Sequence, residues 1–102
     1  MFASRVTLTT SLTSYSLFTL MKAVDATSVP WAQQVIIQVD PSSGGANLYV
    51  GNVNISSTNY GWTGSGGAGL NFQASTNAVQ VDGIYLLCDT NGTVANIIAN
   101  VN

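Results

Sequence analysis

The sequence predicts an all-β chain: a small β-sandwich or jelly-roll-like antiparallel fold with one short N-terminal helix. Three observations lead there. Short apolar and β-branched runs recur about every 8–12 residues. Gly, Asn, Asp and Pro clusters separate them, as at Pro41–Gly45, Gly64–Gly69 and Asp89–Gly92. Only one stretch carries a helical stripe, whereas a parallel α/β fold needs helices between its strands. At 102 residues the chain is one domain, 1–102.

The elements follow in order. Residues 5–12, RVTLTTSL, set Val6, Leu8 and Leu12 among Thr and Ser in near-alternation, a strand with one buried face. Residues 1–4 precede it as a flexible or contact-making arm. Residues 14–26, SYSLFTLMKAVDA, place Leu17, Leu20, Met21 and Val24 at i, i+3, i+4 and i+7, an amphipathic helix. Ser14 or Ser16 can cap it, and Pro30 lies beyond its end. Tyr15, Leu17, Thr19 and Met21 also alternate, so a strand competes; the helix is preferred.

Residues 33–39, QQVIIQV, form a strand with Val35, Ile37 and Val39 on its buried side. The Pro41–Gly45 turn leads to a second strand at 46–50, ANLYV, and the pair reads as a hairpin. Residues 51–69 show little regular pattern, and GSGGAG at 64–69 is a loop on composition. Short strands follow at 70–74, with Leu70 and Phe72 inward, at 78–81 and at 84–88. Asn91-Gly92 is a strong hairpin signal, returning the chain as a last strand at 93–101, with Asn100 and Asn102 as a polar end.

Composition bounds the function. Hydrophobic residues make up 46% of the chain and charged residues only 6%. The cations are Arg5 and Lys22; the anions are Asp25, Asp40, Asp82 and Asp89; there is no Glu or His. Two cations do not support counterion-driven nucleic-acid binding or a polybasic membrane patch. No apolar run approaches the ~20 residues of a membrane helix, and Thr7–Ser16 is too rich in hydroxyls for a signal peptide's apolar region. The sequons at Asn54 and Asn91 are expected by chance among so many Asn, Ser and Thr.

Catalytic sets are hard to assemble, and the expectation is a chain that is not an enzyme. Without His there is no ordinary Ser–His–Asp or Cys–His arrangement. Cys88, the one cysteine, sits in the apolar run IYLLC and reads as a small buried hydrophobe. Asp40, Asp82 and Asp89 stand beside or near turn residues, where Asp bonds neighbouring backbone N–H groups. Asp89-Thr90-Asn91-Gly92 resembles the opening of a calcium loop but lacks its later acidic ligands. The Gly-rich run has no Lys for a phosphate loop. No cofactor and no metal is expected.

A surface made polar by hydroxyls and amides carries little like-charge repulsion and suits an assembly. The candidate interface residues are Phe2, Trp31, Tyr60 and Trp62. Trp31 is weighed toward plugging the core; for Tyr60 and Trp62, burial and exposure balance.

Taken in order, YSLFTLMKAV, VIIQVD, LYVGNVNIS, NYGW and IYLLCDTNGTVANIIANV resemble small virion proteins of tailed bacteriophages, above all capsid decoration or cement proteins. The resemblance spans most of the chain and contains no catalytic signature. It implies a protein made in the host cytoplasm that sits on the virion capsid surface. Its partner there would be the major capsid protein, bridged by a homo-oligomer, often a trimer. The competing class is a carbohydrate- or receptor-binding module using Trp31, Tyr60 and Trp62, or another head or tail accessory protein.

Overall fold

The computed structural model describes residues 1–75 and 77–101. Ten strands and one helix run β1 (Phe2–Leu8), β2 (Tyr15–Ser16), α1 (Leu17–Val24), β3 (Trp31–Ala32), β4 (Gln34–Val39), β5 (Leu48–Gly51), β6 (Trp62–Gly64), β7 (Gly69–Gln73), β8 (Val79–Gln80), β9 (Tyr85–Cys88) and β10 (Thr93–Asn100). The first sheet has the order β1-β10-β4-β7 and the second β2-β9-β5-β6, with every pairing antiparallel. β3 and β8 pair with each other apart from these two sheets.

This order is that of a jelly roll, two interlocked Greek keys. Among the described residues β5 and β6 are the one pair of successive strands that share a ladder; every other connection crosses from one sheet to another. Two hairpin expectations are corrected on this point. The strand at 34–39 does not pair with that at 48–51, and β9 does not pair with β10. The turns are where the sequence places them, and Gly92 takes φ +82° as such a turn requires. What a turn cannot specify is the sheet that the next strand joins. β10 instead fills the centre of the first sheet, between β1 and β4. That position suits its strict alternation: Thr93, Ala95, Ile97 and Ala99 all point inward and are buried.

The core lies between the sheets. Val6, Leu8, Val35, Ile37, Val39 and Ile97 meet Leu48, Val50, Leu86 and Cys88 across it, all buried. Helix α1 is shorter than the 14–26 expected. Ser16 caps it, its Oγ accepting from the Thr19 N–H at 3.4 Å, while Tyr15 and Ser16 are drawn into β2 by pairing with Leu86 and Tyr85. Leu17 and Met21 are buried and Leu20 is half-buried, but Val24 ends the stripe in solvent.

Other expectations are corrected at the edges of elements. Phe2–Ser4 are strand rather than a free arm, because Phe2, Ala3 and Ser4 pair with Ala99, Ile98 and Ile97. Leu12 is not in the first strand: it adopts φ +56° and is 63% exposed. Its backbone is pinned there, its N–H donating to the Cys88 carbonyl at 2.7 Å and that of Ser11 to Asn91 Oδ1 at 2.6 Å. Trp62–Gly64 is a strand rather than loop, drawn onto β5 by Val50, Tyr49 and Leu48. The expectation on Asn102 lies outside the described residues.

Candidate functional site

The acidic residues occupy turns. Asp40 Oδ1 accepts from the Ser42 N–H at 2.9 Å, and its Oδ2 meets Asn96 Nδ2 at 3.1 Å and Arg5 at 3.4 Å. The Ser42 hydrogen bonds foremost, then Asn96 and Arg5, hold its pKa down at about 2. Asp89 accepts from both the backbone and the side-chain nitrogen of Asn47, each at 2.9 Å, which also keeps its carboxylate ionised below the usual range. Asp25 is lowered by the hydroxyl and N–H of Thr27. These carboxylates knit loops: Asp89 ties the β9–β10 turn to the β4–β5 connection, and Asp40 ties three strands of the first sheet. None is raised toward a general acid's range. Cys88 Sγ lies buried at 3.2 Å from the Thr90 carbonyl, beneath the same turn.

The four candidate interface residues separate. Phe2 is buried in β1. Trp31 is 46% exposed, against the expectation that it plugs the core: β3 and β8 form a small ribbon of their own, and Trp31 sits opposite Gln80 there. Tyr60 and Trp62 are brought together. Tyr60 is 44% exposed and packs its ring against that of Tyr49, centroids 4.9 Å apart. With Gly51, Asn52, Asn59 and Gly61 it lines a shallow polar pocket. Beside it, sharing Gly51 and Gly61, an apolar groove of about 300 Å³ runs between Trp62 on β6 and Leu70 and Phe72 on β7. The groove exists because β6 and β7 are the edge strands on the same side of their respective sheets, and the two sheets part there.

Gly64 sets the position of Trp62. Residues two apart share a face of a strand, and a Cβ at Gly64 would lie 2.6 Å from Trp62 Cη2, 2.8 Å from Cζ2 and 2.8 Å from the Ala68 Cβ. The indole therefore lies along its own strand over the bare backbone of Gly64.

A second surface was missed as a site by sequence reasoning. The outer face of the first sheet carries, strand by strand, Ala3, Ile98, Ile36 and Asn71 in one row and Arg5, Asn96, Gln38 and Gly69 in the next. Ile98 is 42% exposed. The amides bond across strands, Gln34 to Asn71 at 3.3 Å and Asn96 to Gln38 at 3.2 Å. The one charged side chain of these two rows, Arg5, is paired with Asp40. The alternation of 93–100 could have found Ile98, since fixing Ile97 inward leaves its neighbour outward.

Among the described residues no helix is long and apolar enough to cross a membrane. No protein-family model, no curated protein and no solved structure matches the chain.

Proposed function

We propose that the chain is a non-catalytic structural protein that works by being covered, most specifically a capsid decoration protein bridging subunits of a phage head. The observation that carries this reading is the outer face of the first sheet: cross-linked amides around Ile98 and Ile36, with its charge already internally paired. Such a face loses less on leaving water than one with free amides and an unpaired charge, although covering the exposed Arg5–Asp40 pair still costs desolvation. The jelly roll is compatible with viral capsid domains, and equally with lectins and cupins, so the fold adds no weight by itself. The resemblance of the sequence to phage virion proteins supplies the partner, the major capsid protein. Binding many sites on a shell would stabilise it by mass action, each contact adding to its neighbours.

The test is co-sedimentation with undecorated heads of a tailed phage whose genome carries this gene beside the major capsid gene. Saturable binding and a raised melting temperature of the shell are expected. A chain that stays in the supernatant at all concentrations sinks the proposal.

A second reading is favoured by the two pockets at Gly51 and Gly61. An exposed tyrosine, the amides of Asn52 and Asn59, and the adjoining Trp62 groove make an uncharged lining of the kind that stacks on and hydrogen-bonds a neutral sugar. Glycan-array binding that disappears in Tyr60→Ala would move the function to this class.

A further inference from the structure

We propose that β1 pairs, antiparallel and across a two-fold axis, with β1 of a second copy, joining two first sheets into one eight-stranded sheet. This deepens the assembly reading and rests on it, by naming one partner and the strand that receives it.

The two sheets have four edges. β2 is two residues long, β6 is three and ends at Gly64, and β7 opens on Gly69. β1 is the longest at seven residues, FASRVTL, with neither Pro nor Gly. Among the described residues β10 lies on one side of it and no strand on the other. Outside that ladder, the backbone–backbone bond at β1 among the described residues is from Gly92 N–H to the Leu8 carbonyl, at its last residue. Within the strand Ser4 Oγ donates to the Arg5 carbonyl at 3.2 Å, a local bond that a pairing strand would replace. An uncovered strand edge is a row of N–H and C=O groups shaped for another strand, and proteins that stay single blunt it with Pro, a bulge, a cover or a charge.

Arg5 is the only candidate for such a blunting charge, and its geometry removes it from the edge. Its guanidinium reaches back over the sheet, past β10, to Asp40 Oδ2 at 3.4 Å, just beyond the end of β4. The pairing draws the charge over the sheet's face and away from the open side, with the Arg5 side chain still 64% exposed.

Charge and side-chain pattern then choose the occupant and the register. Pairing about Ser4 sets Ser4 against Ser4, Ala3 against Arg5, and Phe2 against Val6. The two arginines avoid facing each other, each meeting a small side chain; like charges directly opposite are destabilising. Phe2 and Val6 both point to the core side and are buried in their own chains, so the pairing continues one apolar layer into the next. A register centred on Arg5 would oppose two guanidiniums. The sequence of β1 is thus complementary to itself in the register about Ser4. This gives Phe2 a contact role along the strand, and a two-fold pairing where the resemblance implies trimers.

The experiment uses the full chain. Light scattering after size exclusion is expected to give twice the chain mass at about 100 µM, a concentration suited to modest interfaces. Facing residues of an antiparallel pair lie about 4.5–5.5 Å apart at Cα, inside the span a disulfide bridges. Ser4→Cys, checked as folded by circular dichroism, is therefore expected to form a covalent dimer under mild oxidation at least about tenfold faster than Thr7→Cys, whose equivalents lie far apart in this register. Cys88 is buried and common to both. A monomeric mass at that concentration, or Ser4→Cys cross-linking no faster than Thr7→Cys, overturns the pairing. Oligomers or head binding without the Ser4 cross-link overturn it too, while leaving the assembly reading standing.

Discussion

Replacing Gly64 by Ala adds one methyl group where the structure has no room for it. The new Cβ would sit 2.6 Å and 2.8 Å from two Trp62 ring carbons and 2.8 Å from the Ala68 Cβ. Carbon atoms prefer about 3.5–4.0 Å, so the indole must retreat by about 1 Å. Ala68 cannot yield by rotation, because the atom that meets the new methyl is its own Cβ. Overpacking of this kind costs about 1–3 kcal/mol. Ala recovers part of this, since Gly in a strand loses more backbone entropy on folding, about 0.5–1 kcal/mol. A net loss of about 1–2 kcal/mol is expected, and a domain of this size then melts about 4–16 °C lower. The assay is urea unfolding followed by Trp62 fluorescence in a Trp31→Phe background, so that one indole reports. The midpoint should fall with unchanged slope, and the native emission should shift as the ring is displaced. Adding Trp62→Leu, with unfolding followed by circular dichroism across the whole cycle because no indole then remains, should recover part of the loss, with a coupling of about 0.5 kcal/mol or more between the two sites. Native-like stability and unchanged Trp62 emission in Gly64→Ala would refute the claim that the bare glycine seats the indole.

Three further outcomes are expected. Asp40 has a folded pKa of about 2 against an ordinary 3.8, so the stability it contributes is fully present above pH 3.8 and is lost as pH falls from there toward 2. Urea midpoints across that window should fall less steeply in Asp40→Asn than in the parent; an equal slope in both contradicts the assignment. Ile97→Ala should cost about 2–5 kcal/mol while its neighbour Ile98→Ala stays within about 0.5 kcal/mol in the unassembled chain, measured by chemical denaturation. Similar losses at both would mean that the faces of β10 are misassigned. Leu12→Gly relieves a left-handed residue that costs about 1–2 kcal/mol and returns part of that as unfolded-state entropy, so a gain of up to about 1 kcal/mol is expected. A loss of stability in thermal melts would show that the exposed Leu12 side chain supports the fold.

Local signals in the sequence placed most strands, the turns and the inward face of 34–39. Period-two burial is a property of the strand itself, and a turn needs only its own few residues. The partners of these strands were not legible. A jelly roll sends successive strands to opposite sheets, so the turns at Pro41–Gly45 and Asp89–Gly92, which read as hairpins, are crossings instead. The site divided the same way. Tyr60 and Trp62 stand close in sequence and were grouped from it, whereas the wall facing Trp62, Leu70 and Phe72, comes from the other sheet's edge.

By itself the sequence determined that this is a β chain whose surface holds few charges, because composition and periodicity need no partner to be read. Only the tertiary structure decided which exposed groups share a face, that Trp31 faces solvent, and that Arg5 turns away from an open strand edge. Those are matters of which strand lies beside which. Strand pairing is set by the total burial of the finished sandwich, not by any segment of it.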